Sequence, residues 1–369
     1  MLSRRALLGG SCTLLAGCAT RRVVTAPSAL HLARVKVAPD RVIRMISGLR
    51  PFRPAGFSVR AEKLDDKLVV HNFGHGGAGI TLSWGTGLLA VREAAGVDTR
   101  DCAVIGCGVN GLSTARLLQQ RGVNPIIYAK EMPPSVTSNV AGGLWEPTTL
   151  FDRSLITPQF RAQFVEASRL AFHRYQSLAG DYYGVRWLPL YSLGQQAATV
   201  EPPAPDNPYS DIEALYPEAR VLKPREHPFN VPFARRRYSM LIEPAIYLNA
   251  LIRDFHLAGG KIAIREFHSA RELAALSEKL IFNCTGLGAR TIFEDTGLMP
   301  IKGQLVFLLP QPELDYMTVG PNGIYMFPRQ DGVLLGGSFE RGVDNTDIDP
   351  AVTARILQGN AELFRGMRG

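Results

Sequence analysis

Residues 101–122, DCAVIGCGVNGLSTARLLQQRG, constrain the fold more tightly than any other stretch of the chain. An apolar run, CAVIG, enters Gly106-Cys107-Gly108-Val109-Asn110-Gly111; the amphipathic segment LSTARLLQQRG and a second apolar run, NPIIYA, follow. Strand, glycine turn, helix and strand in that order open a dinucleotide-binding fold. Gly106, Gly108 and Gly111 permit a tight turn, close approach of a pyrophosphate and close helix–strand packing. The helix that begins there offers backbone N–H groups to phosphate. An acidic residue at the end of the second strand should bind ribose hydroxyls. Glu131 stands there beside Lys130, with a simply solvated carboxylate as the alternative.

A second glycine-rich string, HNFGHGGAGITLSWG at 71–85, comes before this unit. It reads as a strand, LVVHNF, running into glycines, and then as a helix, ITLSWGTGLLAVREAA, whose start lies near them. The short polar link GVDTR joins the two units. Further on, PAIYLNALIRDFHLAGG reads as a helix, KIAIREF as a strand, and KLIFNCTGLGAR as a buried strand entering another glycine turn. These continue the dinucleotide fold. Two interruptions, WLPLYSLGQQ to about Arg237 and IKGQLVFLLP to LLGGSFERG, are rich in strand formers and proline. The expected class is α/β: a Rossmann-like dinucleotide domain interleaved with a mainly antiparallel domain.

At 369 residues, with 46% hydrophobic and 20% charged residues, the chain can bury the cores such a pair needs. The net charge of +8 suits an anionic ligand or membrane surface, but no long basic run marks a nucleic-acid face. The N-terminus, MLSRRALLGGSCTLLAGC, has an apolar stretch too short to span a bilayer behind Arg4-Arg5. It resembles a twin-arginine export signal ending in a bacterial lipobox, with Cys18 as the acylated residue. A plain cleaved signal or an unprocessed end is the alternative. The remaining cysteines, Cys102, Cys107 and Cys284, lack CxxC or Cys/His spacing, so no metal is expected.

The strings VIGCGVNGLSTARLL, VAGGLWEP, NCTG, KGQ, YMFPRQDGVLLGG, GLRPFRP and HNFGHGGAGITLSWG together resemble the FAD-dependent D-amino-acid oxidase family. In that family the last two lie near the C-terminus, so the chain resembles a circularly permuted member. The N-terminal residues themselves give an expected signal peptide at 1–18 and, from their polar and aperiodic composition, a tether at 19–40. The resemblance places the FAD-binding domain at 41–187, with 41–96 the transposed segment, and again at 238–299. The substrate domain takes 188–237 and 300–345, and 346–369 forms a C-terminal segment.

By the same resemblance Arg50, in GLRPFRP, holds the substrate carboxylate through a bidentate fork, while Arg53 has a structural part. Tyr325 helps hold the carboxylate, and the Gly77 carbonyl accepts from the substrate amine. Gly76, Ala78, Gly79, Ile80 and Thr81 line the flavin with Gly77, and the helix start faces the electron-rich pyrimidine. Thr137, Ser138, Gly143 and Leu144 match cofactor contacts, and Phe267 matches a backbone contact to adenine. Three positions depart from the family pattern. Lys130 replaces an aspartate, Glu146 replaces an uncharged pocket residue, and Pro321 stands where a lid tyrosine is expected. Glu146 is expected to bias the pocket against acidic side chains and toward neutral or cationic ones, unless a neighbouring arginine, with Arg53 as the candidate, neutralises it. His71 and His75 are expected to be structural or to lie at the flavin edge.

The implied reaction is oxidative deamination of a D-amino acid by hydride transfer to flavin N5, giving a 2-oxo acid, ammonia and, with O2, H2O2. The alternatives are an amine or N-methyl amino-acid dehydrogenase with a non-oxygen acceptor, and a flavin-binding lipoprotein without turnover. The expected location is outside the cytoplasm, on the periplasmic side and anchored to the membrane by lipid.

Overall fold

The computed structural model describes residues 31–368; the export signal, Cys18 and the first part of the expected tether lie outside them. Along the chain come β1 (Val42–Phe52), β2 (Ser58–Leu64), β3 (Lys67–Phe73), α1 (Gly79–Glu93), β4 (Asp101–Ile105), α2 (Val109–Gln119) and β5 (Asn124–Ala129). Next are α3 (Pro158–Ser177), β6 (Val185–Gly194), β7 (Arg220–Leu222), β8 (Phe233–Ile242), α4 (Pro244–Leu257), β9 (Lys261–Ile264), α5 (Ala270–Ala274), β10 (Leu280–Asn283) and α6 (Ala289–Ile292). The chain ends with β11 (Met299–Leu308), β12 (Met317–Val319), β13 (Tyr325–Arg329), β14 (Gly332–Gly336), β15 (Glu340–Arg341) and α7 (Pro350–Arg365).

The smaller sheet has the order β2-β3-β10-β4-β5-β9, parallel from β3 onward, with β2 antiparallel at one edge. Its central strands carry continuous apolar runs, CAVI in β4 and LIF in β10, because both faces are covered. Val104 and Phe282 face a core built with α1, α2, α3 and α4, whereas Val69, Ala103 and Ile281 face Leu273 of α5 and Ile292 of α6. In α2, Val109, Leu112, Ala115 and Leu118 recur at helical spacing and are all buried. Burying Leu112 and Leu118 is worth about 1.5–3 kcal/mol each.

The larger sheet has nine strands in the order β1-β11-β14-β13-β12-β6-β8-β7, with β15 added to β11. All neighbours are antiparallel except β12 and β6. One face packs under α7, whose Asp349 cap accepts from Ala351 N–H at 2.7 Å. The other face, with Leu190, Leu241, Leu305 and Phe307, packs against Val140 and Leu144 from the segment after β5.

The expected boundaries need three corrections. β1 belongs to the larger sheet, paired with β11 so that Arg50 stands opposite Ile301, and not to the dinucleotide domain. β8 runs through the boundary drawn at 237/238, and β6 begins before 188. The tether is docked from its described start: Val35 is buried, Tyr316 donates to the Ala33 carbonyl at 2.7 Å, and Arg34 donates to the Met367 carbonyl at 2.8 Å. The irregular segment leading into β1 therefore lies against the end of α7. At the other junction, residues 94–100 carry the chain from α1 to β4.

Candidate active site

Two helices begin at one cavity of about 1330 Å³ between the sheets. Neither α1 nor α2 is capped by the side chain of its own N-cap residue, Ala78 or Gly108. Apart from the Val109 N–H, which donates to Ser138, first-turn N–H groups of α2 therefore remain available to an anionic ligand. Ser138, on the loop after β5, accepts from Val109 N–H at 3.0 Å and lines the same space with Thr137. The cavity exceeds the roughly 300–1,000 Å³ of single small-ligand pockets. It runs from Lys130, Glu131 and Phe267, at the ends of β5 and β9, to Arg50 and Tyr325 in the larger sheet.

Glycines shape the walls. Gly106 has φ +110°, and a Cβ there would lie 2.6 Å from the Cys284 carbonyl. A Cβ on Gly111 would be driven into the Gly106 carbonyl, and one on Gly143 (φ +95°) into that of Ile242. Gly108 differs: its Cβ would meet only Ser138 Oγ at 3.2 Å, filling the space before α2 where a phosphate would sit. Gly76 and Gly77 are backed by Thr149, whose carbonyl accepts from Gly77 N–H at 3.1 Å. Thr149 itself has φ 52°, a strained conformation for a β-branched residue. The Thr81 hydroxyl holds Leu144 and Glu146, with the Leu144 carbonyl at 3.4 Å and the Glu146 N–H and carbonyl each at 3.3 Å.

These features fit FAD: one helix start would take the pyrophosphate and a second the flavin pyrimidine, and Glu131, which lines the cavity, would meet the ribose. Lys130 lies 3.9 Å from Glu266, so the basic departure at 130 has its own acidic neighbour. Gly79, Ile80, Thr81 and Leu144 line the cavity, whereas Ala78 and Gly111 are buried behind its wall.

At the far end Arg50 is half-buried and donates to the Ser338 carbonyl at 3.3 Å. Among the described residues it has no carboxylate partner, whereas Arg53 pairs with Asp295 at 3.3 Å. Gly303 leaves room for the Arg50 guanidinium, and Gly336 for the ring of Tyr325. Burial pushes the Tyr325 phenol up and the adjacent Arg50 opposes that shift, so the hydroxyl stays protonated and able to donate. Pro321 does not line the cavity; its neighbours Asn322 and Gly323 do.

Glu146 lines the cavity and is neutralised, but by Arg237 of β8 and not by Arg53. Burial works against the charge on Arg237, but Glu146 more than compensates and holds the guanidinium's pKa up. His75 is buried between Asn110 and Thr86, each at 3.0 Å, and burial lowers its pKa to about 3. It is neutral and has no free ring nitrogen with which to serve as a base. His71 lies 3.0 Å from Asn283 and 3.3 Å from Glu62, and burial lowers its pKa too.

Sequence reasoning missed Thr149, Ser338, Gly303, Gly336 and Arg237. Gly303 and Gly336 lay in the quoted KGQ and VLLGG strings without a role, and Arg237 left a signal of its own: FARRRYSML is a strand with Arg235 and Arg237 two apart on one face, and burial then obliges each to find a carboxylate. Glu213 and Glu146 supply them.

The description FAD dependent oxidoreductase belongs to the family model that matches residues 101–368. The D-amino-acid oxidase of Rubrobacter xylanophilus is 30% identical over 271 residues, covering 72% of this chain and 78% of that one. Human D-aspartate oxidase is 28% identical over 280 residues, covering 74% and 78%. Glycine oxidase from Geobacillus kaustophilus shares the fold with a TM-score of 0.51 at 19% identity, covering 72% of this chain and 78% of that one. The matched family residues stop short of 41–96, yet the structure sets Gly76–Thr81 beside the matched Gly106–Gly111 turn. By sequence match and by the cofactor cradle it builds, the chain belongs to the FAD dependent oxidoreductase family.

Proposed function

We propose that the protein oxidises D-amino acids to 2-oxo acids and ammonia, passing the electrons to O2 as H2O2. The observation that carries this reading is Arg50: a cavity-lining guanidinium with no carboxylate partner among the described residues, beside a protonated tyrosine. A bidentate fork of this kind matches an α-carboxylate. Arg50 would hold the carboxylate, Tyr325 would donate to it, and the Gly77 carbonyl would accept from the amine. Gly77 is exposed and lines the cavity, with Thr149 fixing its backbone.

FAD, when bound, supplies the two-electron acceptor. The protein contributes orientation and charge: the start of α1 faces the pyrimidine position, and Arg50 fixes which face of the α-carbon is presented. No side-chain base is required, because a substrate amine that has lost its proton to water is already activated. His75, neutral and doubly engaged, fits that requirement. Circular permutation is part of the same proposal, supported by the short link at 94–100 and by the contact of Arg34 with Met367.

Anaerobic mixing with paired D- and L-amino acids tests the reading. Bleaching of the flavin by D-enantiomers only, followed by recovery and H2O2 on admitting air, is expected. Bleaching by amines that lack a carboxylate would refute it. Bleaching by D-amino acids with recovery only on adding a dye would refute O2 as the acceptor.

A further inference from the structure

The Glu146–Arg237 pair is built in a way the reaction itself does not need. Arg237 sits on β8 with its side chain 9% exposed, its guanidinium 4.2 Å over the ring of Tyr216, and it does not line the cavity. Glu146 does line it, with 20% of its side chain exposed. One carboxylate oxygen, Oε1, receives the arginine. The backbone of Glu146 is clamped through its N–H and carbonyl to Thr81, at the start of α1. Two residues further on, the same loop reaches Thr148 and Thr149, which back Gly76 and Gly77. The carboxylate is therefore fixed on the wall that also carries the Gly77 carbonyl.

The pair is directional. A guanidinium behind and a carboxylate in front present hydrogen-bond acceptors to the cavity. A partly buried carboxylate that keeps one oxygen free is completed by a donor from the ligand, and charge-assisted hydrogen bonds are the strong class. A second carboxylate placed against it would meet repulsion, since the arginine is screened from the cavity by Glu146 itself.

We propose that Glu146, held from behind by Arg237, is the subsite for a substrate side chain ending in an N–H donor, an ammonium or guanidinium. This inference rests on the D-amino-acid reading and names its substrate class. It sets the chain apart from the human relative, whose name specifies an acidic substrate.

D-lysine and D-norleucine, which differ by the terminal ammonium, are the deciding pair. In the wild-type holoenzyme kcat/KM should favour D-lysine by roughly ten- to a hundredfold, the worth of one hydrogen bond to a charged group. Glu146→Gln should reduce that ratio by about tenfold or more. A wild-type ratio at or below one, or a ratio unchanged in Glu146→Gln, overturns the proposal. Perturbation of the flavin spectrum by 6-aminohexanoate against hexanoate reads the same subsite without turnover. Tighter binding of hexanoate overturns the proposal even if the variant does not fold. If 6-aminohexanoate binds tighter yet no D-amino acid bleaches the flavin, the subsite stands and the D-amino-acid reading falls.

Discussion

Replacing Gly303 by alanine should disable Arg50 without touching it. The three atoms nearest a Cβ built on Gly303 all belong to the Arg50 guanidinium, with Cζ at 2.5 Å and Nη1 at 2.6 Å. Ordinary van der Waals contact begins at 3.4 Å, so the guanidinium has to retreat by about 1 Å. The long side chain can make that move, and the backbone need not, because Gly303 lies mid-strand in β11 with ordinary extended geometry. Intrinsic stability should hold or improve, since alanine is favoured over glycine in a strand by roughly 0.5–1 kcal/mol. A displacement of that size in a group that orients substrate can lower the rate by about a hundredfold. Steady-state kcat/KM on a D-amino acid should therefore fall by about ten- to a hundredfold in Gly303→Ala, with FAD content and melting temperature near wild type. Combined with Arg50→Leu, the second substitution should add little, because both act on one group. Gly303→Ala with kcat/KM within threefold of wild type would refute the placement of Arg50. Loss of FAD from the variant would show that the strain is relayed to the cofactor instead.

Arg50→Leu should lower kcat/KM by about a hundredfold or more while leaving FAD in place, and Arg50→Lys should recover only part, because it keeps the charge but not the fork. Denaturing the purified protein should release FAD, and Gly111→Ala should yield colourless protein, since its Cβ is driven into a backbone carbonyl that cannot yield. His75 should make stability fall as pH drops from 6.5 toward 3: the unfolded chain takes up a proton in that window and the buried imidazole does not. Denaturant midpoints at pH 7 and pH 5 should therefore differ less in His75→Gln than in wild type. The proposed lipid anchor predicts that Cys18→Ser moves the protein from the membrane fraction to a soluble or precursor form, as fractionation will read.

What the sequence made legible was whatever depends on local backbone needs. The strand–glycine–helix units, the helix starts and the separation of a parallel from an antiparallel sheet follow from periodicity and from glycines that admit no Cβ. The family resemblance supplied Arg50 and Tyr325, which periodicity alone does not distinguish from other strand residues. The assignment of β1 was hidden because an alternating strand carries no mark of the sheet it joins; only its register with β11 decides. Glu146 was seen but its partner was misjudged, since distance along the chain does not separate the two arginines: Arg53 is taken by Asp295, and Arg237 is brought in because the Leu144 segment bridges to β8. Thr149 gave no signal because a left-handed threonine is chosen by its surroundings and not by propensity.

The placement of β10 between β3 and β4 bears on how the molecule assembles. Residues 58–129 supply both glycine turns, both cavity-facing helices and four of the six strands of the smaller sheet in one continuous stretch. Contacts such as Asn72 with Thr114 at 3.1 Å and His75 with Asn110 at 3.0 Å close short loops. That stretch can organise early, because local contacts forfeit little chain entropy. It leaves a slot one strand wide between β3 and β4, and the strand that fills it arrives only with residues 280–283. The Cys284 carbonyl that defines the Gly106 turn comes with it. The pyrophosphate turn is thus completed only by a distant part of the chain, so cofactor uptake should report on that long-range pairing.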